Sequence, residues 1–248
     1  MNITRPTFYI EIEKVLENIS LMAEKAQKSG VRFRPHFKTH QSAEIGNWFR
    51  EYGVTAITVS SVEMAGYFAA HDWKDITIAF PFNLFEVDQV NELASEIHIN
   101  LLLENLTTAH FLEKKLENSV GIFIKIDTGT HRTGILPHQK EILDELIHFI
   151  RNSQVLNLKG LLTHAGNNYE LKGKDAILAN HKKSIAILNE VARRYRSLFP
   201  NLQLSIGDTP GCSLADDFKG VDEIRPGNFI FYDLMQLNLG TCSNSRNF

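Results

Sequence analysis

Residues 31–41 read VRFRPHFKTHQ. As a strand, this segment places Arg34, His36 and Lys38 on one face and Phe33 and Phe37 on the other. Basic side chains aimed into one space are costly unless an anion sits among them. A lysine held among cations has a depressed pKa, and its neutral amine suits Schiff-base chemistry. The plainer alternative is a strand end whose basic side chains reach solvent, and these residues by themselves leave both open.

Other stretches carry glycine, hydroxyl and basic residues just after apolar runs. They are KIDTGTHRTGI (125–135), GLLTHAGNNY (160–169), SIGDTPGCS (205–213), EIRPGNFIFYD (223–233) and LMQLNLGTC (234–242). Gly207, Gly211 and Gly227 let a backbone approach a ligand closely, and Thr209 and Ser213 offer hydroxyls. Cys212 and Cys242 have no CxxC or His-x-Cys partner, so no metal-ligand set is read. His71, His98, His110, His131, His138, His148 and His181 are scattered and read as surface or packing residues.

Elements that would position these groups follow from periodicity. Residues 7–12 (TFYIEI) alternate like a strand, and residues 13–28 place Val15, Ile19, Met22 and Ala26 at helical spacing. Eight strand signals follow, near 31–37, 56–60, 76–80, 97–103, 121–127, 158–164, 202–206 and 228–232. Helical patterns lie between most of them, clearest over 138–151 and 175–199. Repeated strand–helix units predict an α/β fold with a parallel sheet, and eight of them predict a closed (β/α)8 barrel of the TIM type. A doubly wound open sheet is the rival. A barrel puts its chemistry at the carboxyl ends of its strands, where the unusual residues cluster.

The chain has 248 residues, 43% hydrophobic and 22% charged, with a formal net charge of -3. That suits a large globular domain and gives no basic stripe for nucleic acid. Two cysteines make no secreted disulfide framework. No apolar run approaches bilayer length, and the start shows no signal-peptide pattern. The expectation is a cytoplasmic protein with neither nucleic-acid nor membrane partners.

RPHFKTH resembles the lysine-bearing segment of the D-threonine aldolase and D-serine dehydratase family, which shares the alanine-racemase-like fold of type III pyridoxal-phosphate enzymes. The five other segments match in order, and the resemblance covers most of residues 5–242. It implies pyridoxal 5'-phosphate as cofactor and Lys38 as its Schiff-base and catalytic lysine, with His36 beside it in the same segment. Arg132 matches an arginine that contacts the cofactor's phenolic oxygen, His164 a histidine stacked on the pyridine ring, and Tyr169 a nearby tyrosine. Gly207, Thr209, Gly227 and Asn228 would cradle the phosphate. Arg225 stands where alanine racemase carries its pyridine-nitrogen arginine and is a candidate only. The implied activity is a lyase for small D-amino acids with a β-hydroxyl, by D-serine dehydration or D-threonine aldol cleavage, and the relatives suggest a homodimer. A non-catalytic cofactor-homeostasis protein and an amino-acid racemase are the alternatives.

Relatives add a mostly β domain that follows LMQLNLGTC and supplies a divalent zinc or manganese site. On this reading residues 1–12 are a strand segment that joins that domain, 13–242 the barrel and 243–248 a tail. The family's β domain is then missing, the chain is expected to be a truncated and impaired form, and metal is expected only in full-length relatives.

Overall fold

A computed structural model of the chain describes residues 4, 5, 7 and 9–243. Eight parallel strands lie in the order β1-β8-β7-β6-β5-β4-β3-β2. They are β1 (Arg32–Phe33), β2 (Ile57–Val59), β3 (Asp75–Pro81), β4 (His98–Leu103), β5 (Val120–Lys125), β6 (Leu156–His164), β7 (Gln203–Gly207) and β8 (Glu223–Ile224). A parallel bridge between His36 and Thr58 joins the two ends of that order and closes the barrel. The predicted (β/α)8 architecture holds.

The helices run between strands as α1 (Ile12–Lys28), α2 (Ala43–Arg50), α3 (Val62–Ala69), α4 (Val87–Glu96), α5 (Leu106–Lys115), α6 (Lys140–Arg151), α7 (Lys174–Arg193), α8 (Thr209–Leu214) and a final α9 (Leu234–Asn238). Side-chain caps start several of them. Ser42 accepts from the Ile45 amide, Ser61 from Met64 and Asn105 from Thr108. In α1 the buried Val15, Ile19, Met22 and Ala26 recur at helical spacing and cover the strands.

Two expected elements differ. Residues 228–232 are not the eighth strand. Pro226 and Gly227 end β8 after Ile224, and Asn228–Ile230 form a 3-10 turn whose Phe229 and Ile230 are buried. Phe229 packs on Phe33 at 5.7 Å between ring centroids, so its burial needs no ladder. The described residues of 7–12 make no strand, and Ile12 already belongs to α1. Residues 244–248 of the tail lie outside the described residues.

The apolar core is split. Most of it lies between the strands and the surrounding helices. Inside the barrel a separate small cluster of Leu102, Phe123 and Leu162 is joined by Ala79. Barrel interiors are usually filled by branched aliphatics. Here the positions below that cluster are polar: Arg34, Thr58, Thr77, Asn100, Ser205 and Glu223 are all buried. Two glycines make close approaches possible, since a Cβ on Gly160 would stand 2.1 Å from the Gln203 carbonyl oxygen and one on Gly121 2.0 Å from Asn100 Oδ1.

Candidate active site

The carboxyl ends of the strands bring most of the predicted groups to one mouth. The lysine segment does so by leaving the strand. After the His36 bridge, Phe37–Thr39 turn into a 3-10 helix. Phe37 anchors that turn within an aromatic cluster, with ring centroids 5.0 Å from Phe68 and 5.1 Å from Trp73. Lys38 is thereby presented to solvent at the mouth, and its amide donates to His36 Nδ1 at 3.4 Å. Partial burial lowers its pKa, and the positive charges of Arg132 and Arg225 lower it further. Arg34 does not join this group. It points toward the opposite end of the barrel, where its Nε donates to Glu223 at 2.6 Å and its Nη1 to Asp75 at 2.7 Å. The anion that accounts for Arg34 is therefore protein.

The loop after β5 is built by Asp127. Its Oδ1 accepts from the amides of Gly129 and Thr130, both at 2.9 Å, and of His131 at 3.2 Å. His131 takes a φ of 54 there, and Arg132 is exposed beside it. Asp127's nearest basic partner is His131, at 3.7 Å, and not Arg132. The charge of Arg132 acts on Lys38, Lys125 and His164.

Lys125 is a site residue that periodicity and motif reading passed over. It is 6% exposed at the end of β5, and its amine bonds the Thr133 hydroxyl. Burial, then Arg132, brings its pKa down to about 8. The available signal was its place in KIDTGTHRTGI, two residues after Phe123 on the inward side of an otherwise apolar strand.

His164 closes β6, and its Nδ1 lies 2.6 Å from the Gly207 carbonyl oxygen. Only a protonated Nδ1 can donate to that oxygen, which leaves Nε2 as an acceptor. Burial, then Arg225 and Lys38, lowers its pKa to about 3. Tyr169 lies within 6.5 Å of the His164 ring, and its hydroxyl accepts from the Thr209 amide at 3.4 Å. Thr209 Oγ1 in turn accepts from the Asn228 amide at 3.0 Å. Thr209 and the Gly227–Asn228 turn thus meet. The glycines work differently from expectation. A Cβ on Gly207 would press on Arg225 at 2.9 Å, one on Gly227 on His36 at 3.2 Å and one on Gly211 on His181 at 2.5 Å. They are needed for packing within the protein. Ser213 pairs with Tyr232 at 3.0 Å.

Arg225 is 4% exposed. It donates from Nε to Ser205 Oγ at 2.7 Å and from Nη2 to the Thr163 carbonyl at 2.6 Å. Burial, partly offset by Glu223, brings its pKa to about 10. Its charge acts on His36, Lys38, Lys125 and His164 alike.

Lys38, Lys125, Arg132 and Arg225 give the mouth an excess of cations over its carboxylates, Glu104 and Asp127. An amine of lowered pKa, a neutral imidazole at the mouth and surplus positive charge fit a phosphorylated aldehyde cofactor such as pyridoxal phosphate. The family model described as alanine racemase, N-terminal domain, matches residues 10–234. The chain belongs to that family. It is 28% identical over 248 residues to D-threo-3-hydroxyaspartate dehydratase of Delftia sp. (strain HT23), covering 98% of this chain and 65% of that protein. It is 29% identical over 266 residues to D-serine dehydratase of Dictyostelium discoideum, covering 97% and 66%. The chain therefore spans just under two thirds of these relatives. The solved Delftia enzyme superposes with a TM-score of 0.90, covering 96% of this chain and 64% of that one. D-threonine aldolase from Filomicrobium marinum shares the fold, with a TM-score of 0.86 at 16% identity, covering 96% and 65%. Among the described residues no helix of this family member is long and apolar enough to cross a membrane.

The buried histidines set a pH dependence. His36, His40 and His164 all have pKa values below the usual 6.5, His40 at about 4 and His164 at about 3, through burial first in each case. Between the folded and unfolded values the unfolded chain binds more protons, so stability rises with pH across that window. Asp208, pushed up by burial, works the other way. The urea midpoint is expected to fall as pH is lowered from about 7 to 5. A midpoint that is flat or higher at the lower pH would show that these imidazoles are not held neutral.

Proposed function

We propose that this chain holds pyridoxal phosphate through the Lys38 amine and acts as a lyase on small D-amino acids with a β-hydroxyl. The observation that carries the reading is an amine at the mouth, on a 3-10 turn, whose pKa is lowered by partial burial and by the charges of Arg132 and Arg225. The names of the relatives support the substrate class: D-threo-3-hydroxyaspartate dehydratase, D-serine dehydratase and 3-hydroxy-D-aspartate aldolase. The bound cofactor supplies an electron sink for a bond broken at the substrate α-carbon.

The chain's own residues do the rest. Lys38 would be the base that moves the α-proton, and its lowered pKa favours the free amine that this role needs. His164, fixed by Gly207, offers a neutral ring face and stays uncharged. Arg132 would direct positive charge at the phenolic oxygen of the cofactor, and Thr209, Gly227 and Asn228 with Tyr169 would hold its phosphate end. A divalent zinc or manganese ion, which the family resemblance implies for full-length relatives, would supply Lewis-acid assistance to a departing hydroxyl. Among the described residues no three His, Cys, Asp or Glu side chains converge on one point.

The test is product release from D-serine, D-threonine and 3-hydroxy-D-aspartate by cofactor-loaded protein, with and without zinc or manganese. Dehydration of D-serine eliminates water, and hydrolysis of the resulting imine takes it up again to leave pyruvate and ammonia; aldol cleavage of D-threonine yields glycine and acetaldehyde. Release from D- but not L-isomers is expected. Cofactor-loaded protein that only exchanges or inverts the α-proton would replace the lyase reading with a racemase one. Loaded protein that does neither would leave a cofactor-binding protein.

A further inference from the structure

A continuous column of buried polar groups crosses the barrel beneath the mouth. Arg225 Nε donates to Ser205 Oγ at 2.7 Å, and Ser205 Oγ donates to Glu223 Oε1 at 2.6 Å. Glu223 Oε2 accepts from Arg34 Nε at 2.6 Å. Arg34 then grips Asp75 at 2.7 and 3.2 Å, and Asp75 accepts from Asn100 at 3.3 Å. The chain's topology makes this column. Arg225 lies two residues after Glu223, just past the end of β8, where its amide still donates to the Ile206 carbonyl, and Ser205 is the register partner of Glu223.

The column is costly unless it does something. Glu223 is 1% exposed, Arg34 2% and Ser205 0%. Burying several charges rarely improves stability over apolar packing, and barrel interiors ordinarily use branched aliphatics at this depth. Both guanidiniums converge on Glu223, one directly and one through a hydroxyl that can donate in only one direction. Because Ser205 Oγ gives its hydrogen to Glu223, it must accept from Arg225, which fixes the sense of every bond. Meanwhile the charge of Arg225 reaches His36, Lys38, Lys125 and His164 at the mouth, and Gly207 leaves room for its backbone.

We infer that Glu223 is a positioning residue for the cofactor pocket: through Ser205 it holds the Arg225 guanidinium in place under the mouth, with Arg34 and Asp75 as its own support. The inference rests on the reading of the mouth as a pyridoxal-phosphate site. Glu223 touches neither cofactor nor substrate, so its effect reaches them only through Arg225.

The test uses the whole chain and pyridoxal phosphate itself. Ser205→Ala removes one hydroxyl; Glu223→Gln removes the charge at nearly constant shape. Each is expected to weaken cofactor binding roughly tenfold, as loss of a charge-assisted bond does. Each should also shift the visible absorption band of the bound cofactor, because Arg225 moves or tilts. The double variant should be no weaker than Glu223→Gln alone, since both changes cut one chain of bonds. Circular dichroism and melting of the cofactor-free proteins check folding. If Glu223→Gln does not fold, Ser205→Ala alone decides by the same two readouts. A lower melting temperature with wild-type affinity and an unmoved band would reduce the column to a structural feature and overturn the inference. Failure of the wild-type chain to bind the cofactor would instead overturn the reading of the site.

Discussion

Replacing Lys38 by alanine is expected to abolish covalent capture of pyridoxal phosphate, leaving the cofactor bound, if at all, by its phosphate. The link is between the cofactor aldehyde and an amine, and the amine must be neutral to attack. Partial burial and the charges of Arg132 and Arg225 move Lys38 in that direction by lowering its pKa. Lys125 provides the internal control. Its amine also leans toward neutrality, at about 8, yet it is 6% exposed and engaged with the Thr133 hydroxyl. Borohydride reduction followed by peptide mapping reads the outcome directly. Wild type should carry the label on the peptide spanning Lys38, and Lys38→Ala should carry none. A label that persists in the variant, on Lys125 or elsewhere, would move the assignment off Lys38.

Arg34→Leu is expected to cost the cofactor-free fold about 3–5 kcal/mol, the range for stranding a buried charge by removing its partner. Arg34 is 2% exposed and serves two carboxylates, Glu223 at 2.6 Å and Asp75 at 2.7 Å. Burial disfavours its charge, but Glu223 and Asp75 outweigh burial and leave its pKa raised. Burial also pushes Asp75 up, and Arg34 overcomes this and holds it low. The loss should therefore appear at neutral pH, well above the lowered range of Asp75. Leucine fills most of the volume and cannot answer Glu223, which is 1% exposed. Urea unfolding at neutral pH measures the effect. Changing Glu223 to leucine as well should recover part of it, because the carboxylate is no longer stranded. A single-variant loss below about 1 kcal/mol would mean that the pair behaves like a surface ion pair, contrary to its burial.

The sequence by itself determined the strand–helix alternation, because apolar runs and amphipathic stripes are local signals. It located seven of the barrel strands and the residues that end them. It also marked Lys38, His36, Arg132, His164 and Tyr169, since each stands in a motif just past an apolar run. What it misread were positions whose neighbours are distant in the chain. The apolar run Phe229–Tyr232 looks like a strand, yet those side chains are buried by packing that includes Phe33 and α1, some two hundred residues earlier. Alternation put Arg34 with Lys38, but Lys38 sits on a 3-10 turn, and Arg34 finds its carboxylates on β3 and β8. The glycines at 207, 211 and 227 looked like room for a ligand and are room for Arg225, His181 and His36. Lys125 and Arg225 acquired their perturbed pKa values from burial in a closed barrel. A linear sequence records which groups are present and how they alternate; only closure of the barrel decides which of them share a dry interior, and the dry interior is what fixes their partners and their charge.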